Sequence, residues 1–206
     1  MKRLSIVILL LLTATTAFAG GYATYGPVLQ SSFAKYWQAA PMQYIPCGQV
    51  EQESEWNPKA HLHTSREDGY GLVQMTVTKN FNIFKSAVTM KPLRKWDWRK
   101  DPYNPENQLA FLVLQDKTSW NNVRKWMRDD AEGWKATLVS YNAGLGRVMK
   151  RRTYAIAKGI PHDRWTGGLD QAHTPGETTL LYGRPMWKAV NEYPALIFKK
   201  AEKYRK

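Results

Sequence analysis

The stretch that decides the fold is QESEWNPKA, Gln52–Ala60. Pro46 fits the first turn of a helix, and apolar residues follow it at helical spacing, so the sequence predicts a helix that runs to a stop at Asn57–Pro58. Glu53 therefore stands near a helix end, beside apolar and aromatic residues. Desolvation there would raise the pKa of its carboxyl group, and a neutral acid can protonate the oxygen of a glycosidic bond. Taken alone this is weak evidence, because most helix glutamates are solvated.

Two further motifs follow in the chain. Gly69–Met75 reads GYGLVQM, whose glycines let backbone approach a ligand and whose Gln74 offers a donor and an acceptor. Ser140–Val148 reads SYNAGLGRV, in which small residues end a helix and Tyr141 and Asn142 carry polar atoms. Without a functional role, Gly69–Met75 would be a tight turn that leads into a buried strand. Ser140–Val148 would then be a helix ended by glycine, with a half-buried tyrosine.

In this order, the three motifs resemble the soluble-lytic-type lytic transglycosylases of glycoside hydrolase family 23. The first matches the family pattern Glu-Ser-x-Phe/Trp-Asn-Pro-x-Ala. The second matches Gly-Leu-Met-Gln with Val73 in place of Met, and the third matches Ala-Tyr-Asn-Ala-Gly-x-Gly with Ser140 in place of Ala. The stretch Thr64–Glu67 is similar to phage-encoded, endolysin-like members. Gln108 departs from the pattern, since other members carry Asn at its offset.

The resemblance implies a mainly α, lysozyme-like α+β fold: one helical domain over 20–206, with a small loop or strand region beside the active-site cleft. It implies cleavage of the β-1,4 bond between N-acetylmuramic acid and N-acetylglucosamine in peptidoglycan, leaving a 1,6-anhydromuramoyl end. Glu53 would be the catalytic acid and then base. The implied substrate-binding residues are Ser54, Gln74, Met75, Tyr141, Asn142 and Tyr193. Tyr193 is preferred to Tyr182, which follows Glu177 and Thr178 at the wrong spacing for the family.

Other carboxylates compete for a role. Glu51 and Glu55 should turn to other helix faces and be solvated, whereas Glu67 and Asp68 precede the glycine-rich turn and could orient a water. Such a water would favour hydrolysis, so a lysozyme of the same fold is the alternative enzyme. Among the tryptophans, Trp56 should be core, and Trp96 and Trp98 are the better candidates for a cleft or surface.

Composition sets the broad limits. The chain has 206 residues, 43% of them hydrophobic, and a formal net charge of +13, which indicates one globular domain with polyanionic partners. The single cysteine, Cys47, excludes an internal disulfide and should be a buried hydrophobe. His61-x-His63 is a weak metal pattern, so neither a metal nor a cofactor is expected. A basic face, attracted to anionic envelope polymers, is expected at Arg147, Lys150, Arg151 and Arg152. A non-catalytic cationic envelope-binding protein is therefore the alternative outside enzymes.

Residues 1–19 have the three parts of a secretory signal peptide: a basic start, the apolar run Leu4–Leu12 and the cleavage pattern Ala17–Ala19. The alternative is a signal-anchor that tethers the protein to the membrane transiently. Either reading predicts an exported protein of the periplasm or cell wall, with no nucleic acid partner. We expect a monomer.

Local patterns predict several further elements. Residues 61–76 should be loop with short strands. A helix should begin at Asn104–Pro105, and another should end at Gly144. Residues 147–174 read as basic and irregular, and a last helix over 185–204 should be interrupted at Pro194.

Overall fold

A computed structural model describes residues 20–181 and 183–205. The predicted signal segment 1–19 and Tyr182 lie outside the described residues. The helices are α1 (Gly21–Tyr36), α2 (Ile45–Ser54), α3 (Ile83–Ala87), α4 (Pro105–Val123), α5 (Asp130–Ala143), α6 (Leu145–Lys158) and α7 (Met186–Ala201). The strands are β1 (His61–His63), β2 (Glu67–Tyr70), β3 (Met75–Thr78), β4 (Phe81–Asn82), β5 (Leu180–Leu181) and β6 (Arg184–Pro185). Within the described residues, no helix is long and apolar enough to cross a membrane. The mainly helical α+β fold is confirmed.

The described residues form two compact units. The sheet unit contains the described part of Leu12–Leu114 together with Lys200–Lys206, and the helical unit contains Gln115–Lys199. The boundaries between them fall inside α4 and α7.

The sheet unit combines α1, α2 and α3 with an antiparallel sheet of order β1-β2-β3-β4. Successive strands pair as hairpins, with Leu62 opposite Gly69 and Gly69 opposite Thr76. The expected loop with short strands is thus a small sheet whose central strand β2 leads directly into the glycine-rich motif. Asn104 caps α4 as predicted, because its side-chain oxygen accepts a hydrogen bond from the Asn107 N–H at 2.9 Å.

The helical unit has its own hydrophobic core, to which α5 contributes Ala136 and Val139, and α6 contributes Val148 and Ala155. Here the prediction that residues 147–174 are irregular is wrong for 147–158, while 159–164 and 170–174 are indeed irregular. Leu145–Lys158 forms α6, which ends at Gly159 in a left-handed conformation. Apolar residues on one face of the helix supply the packing, and the many basic residues around them hid this amphipathic pattern in the sequence.

The last helix also differs from expectation. α7 runs from Met186 to Ala201 and continues through Pro194, which lies inside it. A 3-10 turn, Glu202–Tyr204, follows. Val190 and Ile197, one on each side of the proline, are fully buried, so we attribute the continuity of the helix to the packing of its apolar face.

Candidate active site

Glu53 lies in the last turn of α2 and is 1% exposed. The helix ends after Ser54 because Glu55 adopts a left-handed conformation with φ 53°. Ser54 Oγ lies 3.1 Å from the Val50 carbonyl oxygen in the same helix and 2.9 Å from the carbonyl oxygen of Leu72. The Ser54 hydroxyl therefore joins the end of the helix that carries Glu53 to the glycine-rich motif, as the order of the two motifs in the sequence could not show.

Gln74 and the motif glycines form one closely packed arrangement. Gln74 has φ 46°, is 4% exposed, and donates from Nε2 to the Gly71 carbonyl oxygen at 3.1 Å. A Cβ atom on Gly69 would lie 2.4 Å from Gln74 Oε1, so a larger residue at this position would require the Gln74 amide to move. Met75 is buried at 1% exposure and belongs to the core. The sugar-binding roles of Gln74 and Met75 stay predictions.

Gln108 holds the same motif in position. In the sequence, Gln108 is apparent only as a departure from the family pattern. Its Nε2 donates to the carbonyl oxygens of Tyr70 at 3.1 Å and Pro102 at 2.7 Å, and its Oε1 accepts from the Val73 N–H at 3.4 Å. Gly71 has φ 71°, and a Cβ there would lie 2.4 Å from Gln108 Nε2. The amide thus takes up the space that the glycine leaves open, a pairing that only the fold reveals.

The carboxylates that flank Glu53 have different surroundings. Glu51, expected to be solvated, accepts hydrogen bonds from Tyr204 Oη at 2.5 Å and Lys203 Nζ at 2.9 Å. Trp56 is buried, as predicted, and its indole N–H donates to Tyr204 Oη at 2.9 Å. The C-terminal 3-10 turn is therefore attached to α2 through Glu51. Glu55 is half-buried at the helix end.

Glu67 and Asp68 lie on β2 rather than in a free loop. Glu67 is buried at 7% exposure. Asp68 contacts two histidines of β1: its Oδ1 lies 2.6 Å from His63 Nδ1 and 3.3 Å from His61 Nε2. The hydrogen bond from His63 contributes most to lowering the pKa of Asp68, against the opposing effect of burial. These contacts are local to β1 and β2, and no pattern in the sequence predicts a histidine partner for Asp68.

Three other side chains singled out in the sequence have structural roles. Trp96 is buried and its indole N–H donates to the Asp101 carbonyl oxygen at 2.9 Å, so its assignment to a cleft or surface is wrong. Trp98 is half-buried and stacks on Phe84 with ring centroids 5.1 Å apart. Cys47 is confirmed as a buried residue, and burial raises the pKa of its thiol to about 12, which leaves it protonated and unreactive at neutral pH.

The remaining candidates belong to the helical unit. Tyr141 and Asn142 lie in the last turn of α5, which ends at Gly144 as predicted; Asn142 is buried and Tyr141 half-buried. Tyr193 is a buried residue of α7. Tyr141 and Asn142 are thus placed together on one helix end, and Tyr193 lies on a different element. Their contacts with a sugar stay predictions.

Near the start of α5, Glu132 fixes a neighbouring segment of the helical unit. One carboxylate oxygen, Oε2, accepts the backbone N–H groups of Trp165 at 2.7 Å and Thr166 at 2.8 Å. Burial opposes ionisation, but the hydrogen bonds from Lys135 and from these N–H groups outweigh it and lower the pKa of Glu132. The helix that ends in Tyr141 and Asn142 is thereby attached to the segment 165–169.

The expected basic face is only partly available to solvent. Arg151 is fully buried and Arg147 is nearly so, and both contact the Glu177 carboxylate at 3.0 Å. Lys150 is exposed, and Arg152 lies over the Trp126 ring at 4.9 Å. The interpretation of all four residues as a solvated face is therefore wrong for Arg147 and Arg151, which form a buried ion cluster with Glu177.

Comparison with known families identifies the protein family to which the chain belongs. The Transglycosylase SLT domain family matches residues 48–163, which include Glu53–Ser54, the glycine-rich motif and Tyr141–Asn142. The match covers more than half of the chain, so the chain belongs to this family. Its members are lytic transglycosylases that cleave glycosidic bonds of peptidoglycan, and the protein is an enzyme of that class acting on that substrate. A search of curated proteins finds no match.

Proposed function

We propose that this transglycosylase cleaves the β-1,4 bond between N-acetylmuramic acid and N-acetylglucosamine with Glu53 as its single catalytic carboxyl group. The observation that carries the proposal is the burial of Glu53 at the end of α2, next to a serine that is hydrogen-bonded to the Gly-Leu-Val turn. A catalytic carboxyl group must be held in one position and be shielded from bulk water. Glu53 has the burial that this requires.

In the proposed reaction, Glu53 first donates its proton to the glycosidic oxygen as the bond to the anomeric carbon breaks. The 2-acetamido group of the substrate stabilises the positive charge that develops on that carbon. Glu53, now a carboxylate, then accepts the proton of the C6 hydroxyl while that oxygen bonds to the anomeric carbon. The product is a 1,6-anhydromuramoyl end, and Glu53 is protonated again, so no water is consumed. One carboxyl group serves as acid and base, in contrast to the paired carboxylates of most glycosidases.

By the family resemblance, the residues assigned to hold the glycan are Ser54, Gln74, Met75, Tyr141, Asn142 and Tyr193. The structure supports two of these assignments indirectly. Ser54 and Gln74 both hydrogen-bond backbone carbonyls of the segment 71–72, so each can fix the shape of the motif that a sugar would meet. The monomeric state is part of the same proposal.

The product distinguishes this reaction from hydrolysis. Purified protein would be incubated with Gram-negative peptidoglycan sacculi, and the muropeptides analysed by mass spectrometry after borohydride reduction. Muropeptides with anhydro ends, which borohydride does not reduce and which weigh one water and two hydrogens less than reduced hydrolytic products, support the transglycosylase. Reducible ends would identify a lysozyme instead. No release of muropeptides, together with sacculus binding that is unchanged in Glu53→Gln and abolished by high salt, would identify a cationic envelope-binding protein.

We also propose that the protein is exported to the periplasm or cell wall and opens the wall in lysis of the phage type. The supporting feature is the tripartite pattern of residues 1–19. Expression in a Gram-negative host should cause lysis, and Leu9→Arg, which places a charge in the apolar run, should prevent it without reducing the activity of the purified protein. N-terminal sequencing of the exported chain separates a cleaved signal at Ala19 from a retained anchor.

A further inference from the structure

The hairpin of β1 and β2 carries a side-chain cluster that the proposed reaction does not use. His61 and His63 are two residues apart on β1, so their side chains share one face of the sheet. Asp68 on β2 pairs directly with His63 in the antiparallel register, and directly paired residues also share a face. Three potential metal ligands therefore meet on the same face of two adjacent strands.

The distances suit a single ion. One nitrogen from each histidine and one oxygen of Asp68 all lie within 4.8 Å of one another. Two ligand atoms on one tetrahedral zinc ion, each bonded at about 2.0–2.2 Å, are roughly 3.3 Å apart. His61 Nε2 and Asp68 Oδ1 are already 3.3 Å apart. His63 Nδ1 and Asp68 Oδ1, at 2.6 Å, need only a small rotation of an exposed side chain to admit the ion between them.

The chemistry of the three groups is also suitable. Asp68 supplies a carboxylate oxygen, and the two histidines supply ring nitrogens. Imidazole and carboxylate are both ligands that zinc accepts. The His61 ring is held by stacking on Tyr70, with centroids 4.8 Å apart and an interplanar angle of 22°, so one ligand is oriented before any ion binds.

The hairpin itself is rigid at its turn. Thr64 Oγ1 accepts the N–H groups of Arg66 at 3.2 Å and Glu67 at 3.0 Å, and the Thr64 N–H donates to the Glu67 carbonyl oxygen at 3.0 Å. This turn fixes which residues of β1 and β2 face each other. The side chains of His61, His63 and Asp68 are 42%, 77% and 32% exposed, so an ion can enter from solvent and keep a water as its fourth ligand.

We propose that His61, His63 and Asp68 form a binding site for a divalent transition-metal ion such as Zn²⁺, whose tetrahedral geometry fits the 3.3 Å between His61 Nε2 and Asp68 Oδ1. The bound ion would cross-link β1 and β2 immediately before the Gly69–Met75 motif. The sequence alone predicted no metal because His61-x-His63 offers only two ligands. The third ligand comes from the neighbouring strand and becomes apparent only once the register is known.

The test is titration of the tag-free, chelator-treated full chain with Zn²⁺ by isothermal calorimetry. We expect one ion per chain, with affinity reduced about tenfold or more in His63→Ala and in Asp68→Asn. His162→Ala, which removes an exposed histidine of the helical unit, is the matched control and should bind as the unsubstituted protein does. In NMR spectra, saturating Zn²⁺ should shift the imidazole resonances of His61 and His63 and leave those of His162 unchanged.

Three results would overturn the proposal: absence of saturable binding, binding that His63→Ala and Asp68→Asn leave intact, or an equal loss in His162→Ala. Because His63 is the most exposed of the three ligands, circular dichroism of His63→Ala should match the unsubstituted protein. Glu53→Gln should bind Zn²⁺ normally, so failure of the proposed catalytic role and failure of the metal site are distinguished by separate measurements.

Discussion

At the scale of single residues, Gln49 lies where an amide side chain is energetically unfavourable. It precedes Glu53 by one helical turn on α2, so the two share a face of the helix. Gln49 is fully buried, and among the residues that the structure describes neither its Oε1 nor its Nε2 has a hydrogen-bond partner. A buried amide without partners costs about 1–3 kcal/mol.

Gln49→Met should therefore stabilise the protein. Methionine has a similar length and no amide, so we expect the free energy of unfolding to rise by about 1 kcal/mol, as measured by urea denaturation. Gln52→Met, at a half-buried position of the same helix, is the matched control and should change stability little. A loss of stability in Gln49→Met would contradict the argument and show that a buried water satisfies the amide.

At the scale of elements, α2, the helix that carries Glu53, is attached through Glu51 to the C-terminal 3-10 turn. Tyr204 donates to Glu51 and accepts from Trp56, and its ring packs against Tyr22 with centroids 4.5 Å apart. Burial, and then the hydrogen bond to Glu51, raises the pKa of Tyr204 far above its usual value. The Tyr204 hydroxyl therefore stays protonated at neutral pH and donates its hydrogen bond to Glu51.

Tyr204→Phe removes this hydroxyl alone. Since Glu51 and the Trp56 indole each lose a partner, we expect the free energy of unfolding to fall by about 1–2 kcal/mol, measured by urea denaturation with tryptophan fluorescence. Tyr25→Phe on α1 is the control for loss of a tyrosine hydroxyl and should have little effect. If both variants lost the same stability, the attachment of α2 through Tyr204 would be refuted.

Local signals in the sequence were enough for some of these elements. Pro46 marked the start of α2, Asn104 and Pro105 marked that of α4, and Gly144 marked the end of α5, because caps and helix breakers act within one turn. α6 was missed because Arg151, a buried residue paired with distant Glu177, looks like a solvated charge in the sequence. The same reason hid the roles of Gln108 and Asp68, whose partners lie on other elements.

At the scale of the whole molecule, the pH dependence of stability should follow the buried carboxylates of the helical unit. Burial would raise the pKa of Glu177, but the charge of Arg151, together with hydrogen bonds from Arg151, Thr174 and Arg147, lowers it below the usual 4.5. A carboxyl group whose pKa is lower in the folded state stabilises the protein above its unfolded pKa. That contribution is lost as the pH falls through the folded value.

We therefore expect unfolding midpoints in urea to be constant at neutral pH and to fall as the pH drops below about 4.5. Glu177→Gln leaves the buried guanidinium of Arg151 facing an uncharged amide, so it should cost about 3 kcal/mol at pH 7 and weaken the acid dependence. Glu106→Gln, at an exposed position of α4, is the control. An acid dependence in Glu177→Gln as steep as in the unsubstituted protein would contradict the assignment.

If Glu53 is the one catalytic carboxyl group, matched substitutions of Glu53 and its neighbour Glu55 should differ sharply in activity. Glu53→Gln and Glu55→Gln each replace a carboxyl group with an amide, at a buried position and at a half-buried position two residues apart. The measurement is the initial rate of soluble muropeptide release from sacculi, with circular dichroism and sacculus binding recorded for each variant. We predict that Glu53→Gln folds, binds sacculi and loses the rate by at least about a hundredfold, whereas Glu55→Gln keeps it. A folded Glu53→Gln variant that still releases anhydromuropeptides at the original rate would show that Glu53 is not the catalytic carboxyl group.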